Sequence, residues 1–330
     1  MSAPAADEMR AVWLREHGGP EVLRLEASAV PRPGRGEALV RLAAAGVNFH
    51  DVGQRAGRSK VTLPVIVGNE GSGVVEAIGD DAEGVRVGDR VVWVLHQGTY
   101  TTHAVVPAAK LVPIPAGIDT ALAAALPMQG LMAHGLTSFA YAVKPGDTVL
   151  VQAAASGISG LLCQVAKIRG ARVLGTVSTR SKAAHARDSG ADEVIVRGEE
   201  DVAAAAKRLT DGSGVDVAYD GVGKDTFQSS LDALRPRGML AIYGAASGAP
   251  PLVDSTWLSA RGGLYLTRSV LGHFIPDRTE LLARMNELFG WIGAGKLRPH
   301  VSKRYPLADA ARAHADVESG ALTGKILLDV

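Results

Sequence analysis

The sequence predicts an α/β protein built from a barrel- or sandwich-like β domain and a doubly wound parallel-sheet domain. The first third of the chain consists of short β-rich runs separated by Gly, Pro and Asp. The middle of the chain alternates strand-length apolar runs with segments of helical periodicity. A length of 330 residues also corresponds to two domains, at roughly 150 residues for each.

The β-rich first third predicts six short strands. Turn residues separate them: Gly18-Gly19-Pro20 precedes one strand, and Gly88-Asp89 lies just before another. Short strands at this spacing are typical of barrels and sandwiches. The six runs are Ala11–Leu14, Val22–Leu25, Glu37–Ala43, Gly73–Ile78, Arg90–Leu95 and Thr101–Val106.

The middle of the chain predicts βαβ units, which place parallel strands in one sheet. The predicted strands are Thr148–Ala153, Arg172–Val177, Glu193–Val196, Val215–Tyr219 and Met239–Tyr243, and the predicted helices are Ile158–Arg169, Ser181–Ser189 and Val202–Leu209. A helix over Arg278–Ile292 follows. We expect the last strand, Lys325–Asp329, to return to the N-terminal domain.

Composition excludes several classes of protein. The chain has 35 Lys and Arg against 34 Asp and Glu and no basic run, so we expect no nucleic-acid partner. The single cysteine, Cys163, cannot form an internal disulfide, which fits a reducing compartment. The sequence shows neither a secretory signal nor an apolar stretch of membrane-spanning length. We therefore expect a cytoplasmic protein without a membrane partner.

A small-residue turn follows the first predicted strand of the parallel sheet and opens a predicted helix. In this position the backbone of a dinucleotide-binding turn approaches a pyrophosphate and directs N–H groups toward it. The alternative is a loop of Ala and Ser that only packs the helix onto the sheet. We predict a cofactor-binding turn that includes Ser156, Gly157, Ile158 and Ser159.

The end of the second parallel strand predicts the identity of the dinucleotide. An NAD enzyme usually has an acidic residue near this point, but none occurs here before Asp188. Ser178, Arg180 and Lys182 offer a hydroxyl and two cations, which suit the 2′-phosphate of NADPH. The alternative is a solvated helix start that happens to be basic. We favour NADPH over NADH.

Several motifs together make the chain resemble the zinc-free quinone oxidoreductase branch, the zeta-crystallin-like branch, of the medium-chain dehydrogenases/reductases. The resemblance runs from about residue 9 to residue 330. It implies a GroES-like β-barrel domain over 1–130 and 271–330, around a Rossmann NADPH-binding domain over 131–270. The motifs are Gly18–Leu23, Gly46–Asp51, Gly68–Val75 with Gly79, Gly88–Val91, Gln164 with Lys167, Tyr219–Gly223 and Tyr305–Leu307.

The resemblance also implies a site without metal. Zinc-dependent relatives have Cys where this chain has Asn48, and His where it has Asn69. Catalytic zinc needs three Cys, His or carboxylate ligands, and amides are poor substitutes.

The resemblance places further residues at the site. Asn48 and Asp51 are expected near the nicotinamide ribose and the substrate, with Asn48 orienting the acceptor. Tyr243 is a candidate proton donor. The additional cofactor contacts that it implies are Val222, Tyr243, Gly244, Thr267, Arg268 and Lys325.

Three departures from the family pattern stand out. Ser156 and Ser159 occupy positions where glycine is common, and their hydroxyls are expected to donate to phosphate. Arg58-Ser59-Lys60 replaces an aromatic residue and proline, which favours an anionic substrate unless the loop is merely solvated. Arg197 stands where relatives often carry Tyr, and we expect it to contact the 2′-phosphate.

Three functions remain open. The leading one is an NADPH:quinone oxidoreductase that transfers hydride without metal. The second is an NADPH-dependent reductase of activated alkenes such as enones, acrylates or enoyl thioesters. The third is a non-catalytic NADPH-binding protein. The resemblance also predicts a homodimer formed through an edge strand over Leu264–Val270.

Overall fold

The computed structural model describes residues 8–330, which form two compact units. The first unit comprises the described residues up to Met128 together with Pro276–Gly293 and Pro299–Val330. The second unit comprises Gln129–Ile275 and Ala294–Arg298. The last of these segments was assigned by sequence to the first domain. It joins the second unit because the Gln164 side chain bonds both the N–H and the carbonyl of Arg298.

The N-terminal part of the described chain contains strands β1 to β8 and two short helices. In chain order the elements are β1 (Glu8–Leu14), β2 (Leu23–Ala29), β3 (Glu37–Val47), α1 (Phe49–Arg55), β4 (Val65–Ile66), β5 (Glu70–Ile78), β6 (Arg90–Val94), β7 (His103–Pro107), β8 (Val112–Pro113) and α2 (Thr120–Ala123).

The central part alternates helices and strands, and the C-terminal part adds two of each. The central elements are α3 (Pro127–Gly135), β9 (Thr148–Val151), α4 (Gly157–Ile168), β10 (Arg172–Val177), α5 (Ala183–Asp188), β11 (Glu193–Val196), α6 (Val202–Arg208), β12 (Val215–Asp220), α7 (Phe227–Asp232), β13 (Leu234–Ile242), α8 (Ser255–Ala260), β14 (Tyr265–Arg268) and α9 (Leu271–Phe274). The C-terminal elements are α10 (Arg278–Gly293), β15 (Val301–Pro306), α11 (Ala310–Ser319) and β16 (Lys325–Asp329).

Two sheets build the first unit. One has the order β2-β1-β4, and the other has the order β15-β16-β3-β5-β6-β8 with β7 paired to β3. Strand β16 runs antiparallel to β3, so the prediction that the last strand returns to the N-terminal domain is confirmed. Apolar side chains from both sheets form one core, including Val12, Val40, Trp93 and Leu328. The GroES-like β fold of this unit agrees with the prediction.

A six-stranded parallel sheet forms the second unit. Its order is β11-β10-β9-β12-β13-β14, which is the doubly wound order of a dinucleotide-binding fold. The strand order reverses between β9 and β12, and in such sheets ligands bind at the carboxyl ends of the strands beside this reversal. Buried residues of alternating strands and helices, such as Leu150, Leu174, Phe227 and Leu240, form its core.

Some elements differ from the sequence prediction. Strand β15 and helix α11 were not predicted, because β15 carries Lys303 and Arg304 on exposed positions and is defined by its pairing with β16. The predicted helix Ser181–Ser189 is split into a 3₁₀ turn over Arg180–Lys182 and the shorter α5. No helix within residues 8–330 is long and apolar enough to cross a membrane.

Candidate active site

The turn between β9 and α4 lies at the carboxyl end of the central strand of the second unit. Ser156 adopts an extended conformation at the N-cap of α4, and Ala153 is left-handed with φ 52°. The first N–H groups of a helix have no partner within it and carry partial positive charge. The structure therefore has a helix start at the predicted position, and the binding of an anion there stays a prediction.

The hydroxyl of Ser159 points into the protein. It is 1% exposed and donates to the Gln152 carbonyl oxygen at 2.9 Å. It also accepts a hydrogen bond from the Ser156 hydroxyl at 3.0 Å and lies 2.7 Å from the Tyr243 hydroxyl. These three contacts use the whole hydrogen-bonding capacity of a hydroxyl, so donation from Ser159 to phosphate, which stays a prediction, would require its hydroxyl to leave the Gln152 carbonyl.

A side chain at Gly157 would displace a neighbouring amide. A Cβ built on Gly157 would lie 2.1 Å from Nε2 of Gln129, whose side chain is buried. Gln129 was not identified from sequence, because its contact with the turn depends on how α3 packs. The structure thus places a glycine and an amide side chain at the start of α4.

Basic groups gather at the carboxyl ends of β10 and β11. The backbone N–H of Arg197 donates to the Val177 carbonyl oxygen at 2.9 Å, which places Arg197 beside the exposed Ser178. Nε of Arg197 is buried and has no hydrogen-bond partner among the described residues. Arg180 bonds both carboxylate oxygens of Glu199, an acidic partner that was not predicted. Lys182 lies on the same 3₁₀ turn as Arg180 and is half-buried.

The carboxylate of Asp220 organises the turn after β12. It accepts hydrogen bonds from the backbone N–H groups of Val222 and Gly223 at 2.8 and 3.0 Å. It also accepts from the hydroxyls of Thr226 and Ser230 at 2.8 Å. This network fixes the backbone around Val222, a predicted cofactor contact, at the carboxyl end of β12.

The next two strands bring four predicted residues together. Arg268 donates from a guanidinium nitrogen to the Gly244 carbonyl oxygen at 2.8 Å. Thr267 pairs with Ala241 in the register of β13 and β14, one position before Arg268. Burial raises the pKa of the Tyr243 phenol, whose hydroxyl reaches Ser159. A phenol with a raised pKa stays protonated and can donate a hydrogen bond.

The first unit contains a separate buried polar cluster at the ends of β3, β5 and β16. Nζ of Lys325 donates to Oδ1 of Asn48 at 2.7 Å and pairs with Oε1 of Glu70. Nδ2 of Asn48 donates to the same Glu70 oxygen at 2.8 Å. Met128 donates its backbone N–H to the other Glu70 oxygen at 2.8 Å. Glu70 was not identified from sequence, and Lys325 is only 1% exposed.

Asp51 links this cluster to two further buried side chains. Its carboxylate accepts from the backbone N–H of Asn48 and from Nδ2 of Asn69, each at 2.9 Å. The Tyr100 hydroxyl lies 3.3 Å from Asp51 and 3.1 Å from Nε2 of His314. Burial raises the pKa of Asp51, although the Asn69 hydrogen bond opposes this shift. Burial, with a smaller contribution from Arg55, lowers the pKa of His314 to about 3.

The predicted substrate cations lie at the surface of the first unit. The side chain of Arg58 is 59% exposed, and its guanidinium lies 3.7 Å from the carboxylate of Glu318. Lys60 is exposed and lines a pocket of about 450 Å³. The other lining residues are His17, Gly57, Ser59, Val61 and Thr62.

Comparison with protein families identifies both parts of the chain. The family model for the alcohol dehydrogenase GroES-like domain matches residues 34–116. The family model for zinc-binding dehydrogenase matches residues 189–328.

The residues of this chain do not fit the zinc that the second description names. Among residues 8–330, no group of three or more His, Cys, Asp or Glu side chains is arranged to hold a metal ion. Asn48 and Asn69 are amides that already bond carboxylates, and Glu70 is neutralised by Lys325. This donor set lacks the three ligands that catalytic zinc requires. The expectation of a metal-free reaction stays a prediction.

Known relatives span nearly the whole chain. Quinone oxidoreductase of Pseudomonas aeruginosa is 41% identical over 314 residues, covering 94% of this chain and 97% of that protein. 2-Haloacrylate reductase of a Burkholderia species is 40% identical over 326 residues, covering 96% and 98%. The crystal structure of Escherichia coli quinone oxidoreductase complexed with NADPH superimposes with a TM-score of 0.94 at 38% identity, covering 97% of this chain and 100% of that one. The sequence-based family prediction is confirmed: the chain belongs to the quinone oxidoreductase family of medium-chain dehydrogenases/reductases.

Proposed function

We propose that the protein is an NADPH-dependent quinone oxidoreductase. Relatives named quinone oxidoreductase that are about 40% identical over most of the chain support this activity. NADPH supplies a hydride, and one proton from the medium or the protein completes the two-electron reduction of a quinone.

The second unit would hold the cofactor. The start of α4, from Gly157 onward, would bind the pyrophosphate through its N–H groups. Val222, Gly244 and Thr267 would line the nicotinamide half, since each lies at or just beyond the carboxyl end of a strand. Buried side chains such as Asp220 already have hydrogen-bond partners within the protein. They would therefore fix the backbone of these turns and not bind the cofactor directly.

One observation carries the choice of NADPH. Arg197 directly follows β11, beside the carboxyl end of β10, and has a buried Nε that has no partner in the described chain. An unpaired buried donor destabilises the protein. An anionic ligand group at this point would supply the hydrogen-bond acceptor that Nε of Arg197 lacks. The 2′-phosphate distinguishes NADPH from NADH and is such an anion.

The test compares kcat/KM for NADPH and NADH in Arg197→Ala. A charge-assisted hydrogen bond contributes about 1.5–3 kcal/mol, so kcat/KM for NADPH should fall about 10- to 150-fold while that for NADH changes little. Arg172→Ala, at the opposite end of β10, is the matched control and should leave both values unchanged. Equal losses with the two cofactors in Arg197→Ala would remove the support for NADPH.

In the first unit, Asn48 is the proposed group for orienting the acceptor, and the buried Asp51, which accepts the backbone N–H of Asn48, would hold Asn48 in place. Reduction of a quinone or of an alkene conjugated to a carbonyl places developing negative charge on the carbonyl oxygen, and oriented donors stabilise it. Tyr243, protonated because burial raises its pKa, is the proposed donor in the second unit, and its hydroxyl would have to turn from Ser159 to the acceptor. Asn48→Ala, Asp51→Asn and Tyr243→Phe test these roles through kcat at saturating NADPH.

A second substrate class is favoured by the loop at Arg58 and Lys60. These cations are exposed, and Lys60 lines a pocket, so a carboxylated alkene is a candidate acceptor. The relative named 2-haloacrylate reductase supports the same class. If Arg58→Ala with Lys60→Ala leaves the KM for 2-chloroacrylate unchanged, this alternative should be dropped. The KM for a neutral benzoquinone serves as the internal control.

We also propose a homodimer formed through β14. This strand is at the edge of the parallel sheet, and its first residue, Tyr265, is 59% exposed. An uncovered sheet edge is a template for pairing with another strand. Light scattering should give the mass of two chains, and a monomer would contradict the proposal. A cytoplasmic location stays a prediction of the sequence.

A further inference from the structure

A fully buried ion pair lies beside Asn48 and has no role in the proposed reaction. The side chains of Lys325 and Glu70 are 1% and 0% exposed. Their strands flank β3, with Ile326 paired to Val47 and Gly71 paired to Ala45. The register therefore brings Lys325 and Glu70 to the same end of β3.

The backbone leaves space for this pair at one position. A Cβ on Gly46 would lie 2.3 Å from Oε1 of Glu70, so glycine is needed for the carboxylate to reach across β3. Burying an ion pair in place of packed apolar side chains rarely improves stability, because both charges lose their hydration. Stability alone therefore does not explain why the protein buries Lys325 and Glu70.

The pair determines how the Asn48 side chain is oriented. An ammonium can only donate hydrogen bonds, and a carboxylate can only accept them. Oδ1 of Asn48 must therefore face Lys325, and Nδ2 must face Glu70, as the contacts at 2.7 and 2.8 Å show. A flipped amide would place its NH₂ group against the ammonium and its oxygen against the carboxylate.

We propose that Lys325 and Glu70 are positioning residues that hold the amide of Asn48 in its reactive orientation. Lys325 acts through Asn48 rather than by touching the cofactor, which replaces its predicted role as a cofactor contact. This inference rests on the proposed function, because Asn48 is the group assigned to orient the acceptor.

The test is a double-mutant cycle of Lys325→Met, Glu70→Gln and the double variant, in the full chain. Each single variant leaves a buried charge unpaired, and we expect a lower melting temperature in both. Removing both charges should restore most of the melting temperature. It should not restore turnover, because a thioether and a rotatable amide in place of the two charges no longer dictate which way the Asn48 amide faces.

The expected kinetic result is a split between kcat and KM. Misplacement of a reacting partner reduces rates by about 10- to 100-fold, so kcat for quinone reduction should fall by this factor in the double variant. The KM for NADPH should stay near its wild-type value, since its proposed groups lie in the second unit. Lys303→Met is the control and should leave kcat unchanged. It removes an exposed lysine of the neighbouring strand β15 that pairs with Asp316.

Two outcomes would overturn the inference. Wild-type kcat in Lys325→Met would show that the ammonium does not position Asn48. Recovery of both melting temperature and kcat in the double variant would show that the pair is only structural. A wild-type protein without quinone turnover would instead refute the proposed function, and the two failures are thus distinguishable.

Discussion

Replacing Asp220 with Asn should destabilise the second unit, although the two side chains have nearly the same shape. Asp220 is fully buried and serves only as an acceptor, for two backbone N–H groups and two hydroxyls. The hydroxyl of Ser230 also accepts from the Gln152 amide at 3.0 Å, and that amide in turn accepts from Thr176 at 2.6 Å. Every donor in this series of hydrogen bonds therefore points toward the carboxylate.

An amide at position 220 must keep its oxygen toward the backbone N–H groups of Val222 and Gly223, because these cannot rotate. Its NH₂ group then faces the hydroxyls of Thr226 and Ser230, and the Ser230 hydroxyl proton loses its acceptor. Hydrogen bonds to a charged group contribute about 1.5–3 kcal/mol each, against about 0.5–1.5 kcal/mol for neutral ones. Three or four hydrogen bonds are weakened, and the neutral amide no longer bears the cost of burying a charge. We therefore expect the free energy of unfolding to fall by about 2–4 kcal/mol.

Thermal denaturation followed by circular dichroism measures this loss. A change of about 2–4 kcal/mol corresponds to a melting temperature lower by about 5–15 °C in a domain of this size. Asp232→Asn is the matched control, because Asp232 is a partly exposed carboxylate on α7 that pairs with Arg261. We expect the control to change stability by less than about 1 kcal/mol. An Asp220→Asn protein that melts with the wild type would refute the reasoning.

Three further predictions follow from single side chains. Gly157→Ala should weaken NADPH binding about tenfold by calorimetry, because the new Cβ would lie 2.1 Å from Nε2 of Gln129 and disturb the start of α4. Wild-type affinity would contradict this prediction, and recovery on adding Gln129→Ala would assign the effect to Gln129. His314, whose pKa is lowered to about 3, stays neutral in the folded state while it is protonated in the unfolded chain below about pH 6.5. Stability should therefore fall by about 1.4 kcal/mol per pH unit below that point, and urea titrations at neutral and acidic pH should show a flatter dependence in His314→Gln; equal slopes would contradict this. Burial raises the pKa of the Cys163 thiol to about 12, so a thiol reagent should label it only after denaturant is added, and labelling of the native protein would be the contrary result.

The fold was largely predictable because hydrophobic periodicity is a local property. The runs Arg172–Val177 and Glu193–Val196 coincide with β10 and β11 in the structure. Strand β15 was missed because its exposed positions are charged and its hydrogen bonds come from β16, which follows it across α11.

The site was predictable where strand, turn and helix follow one another in sequence. The turn and helix start after β9 are of this kind, and their binding of an anion stays a prediction. Contacts between residues far apart in sequence were not predictable. Tyr243 is hydrogen-bonded to the Ser159 hydroxyl although 84 positions separate them, and Lys325 pairs with Glu70 across 255 positions. Nothing in the local sequence of Ser159 indicates that its hydroxyl is used internally.

The most direct test follows the oxidation of NADPH and of NADH by the purified protein, with benzoquinone as acceptor. We predict saturable oxidation of NADPH that requires the quinone, with a clearly higher kcat/KM than for NADH. Absence of quinone-dependent oxidation, or a higher kcat/KM with NADH, would contradict the proposed NADPH-dependent quinone reduction.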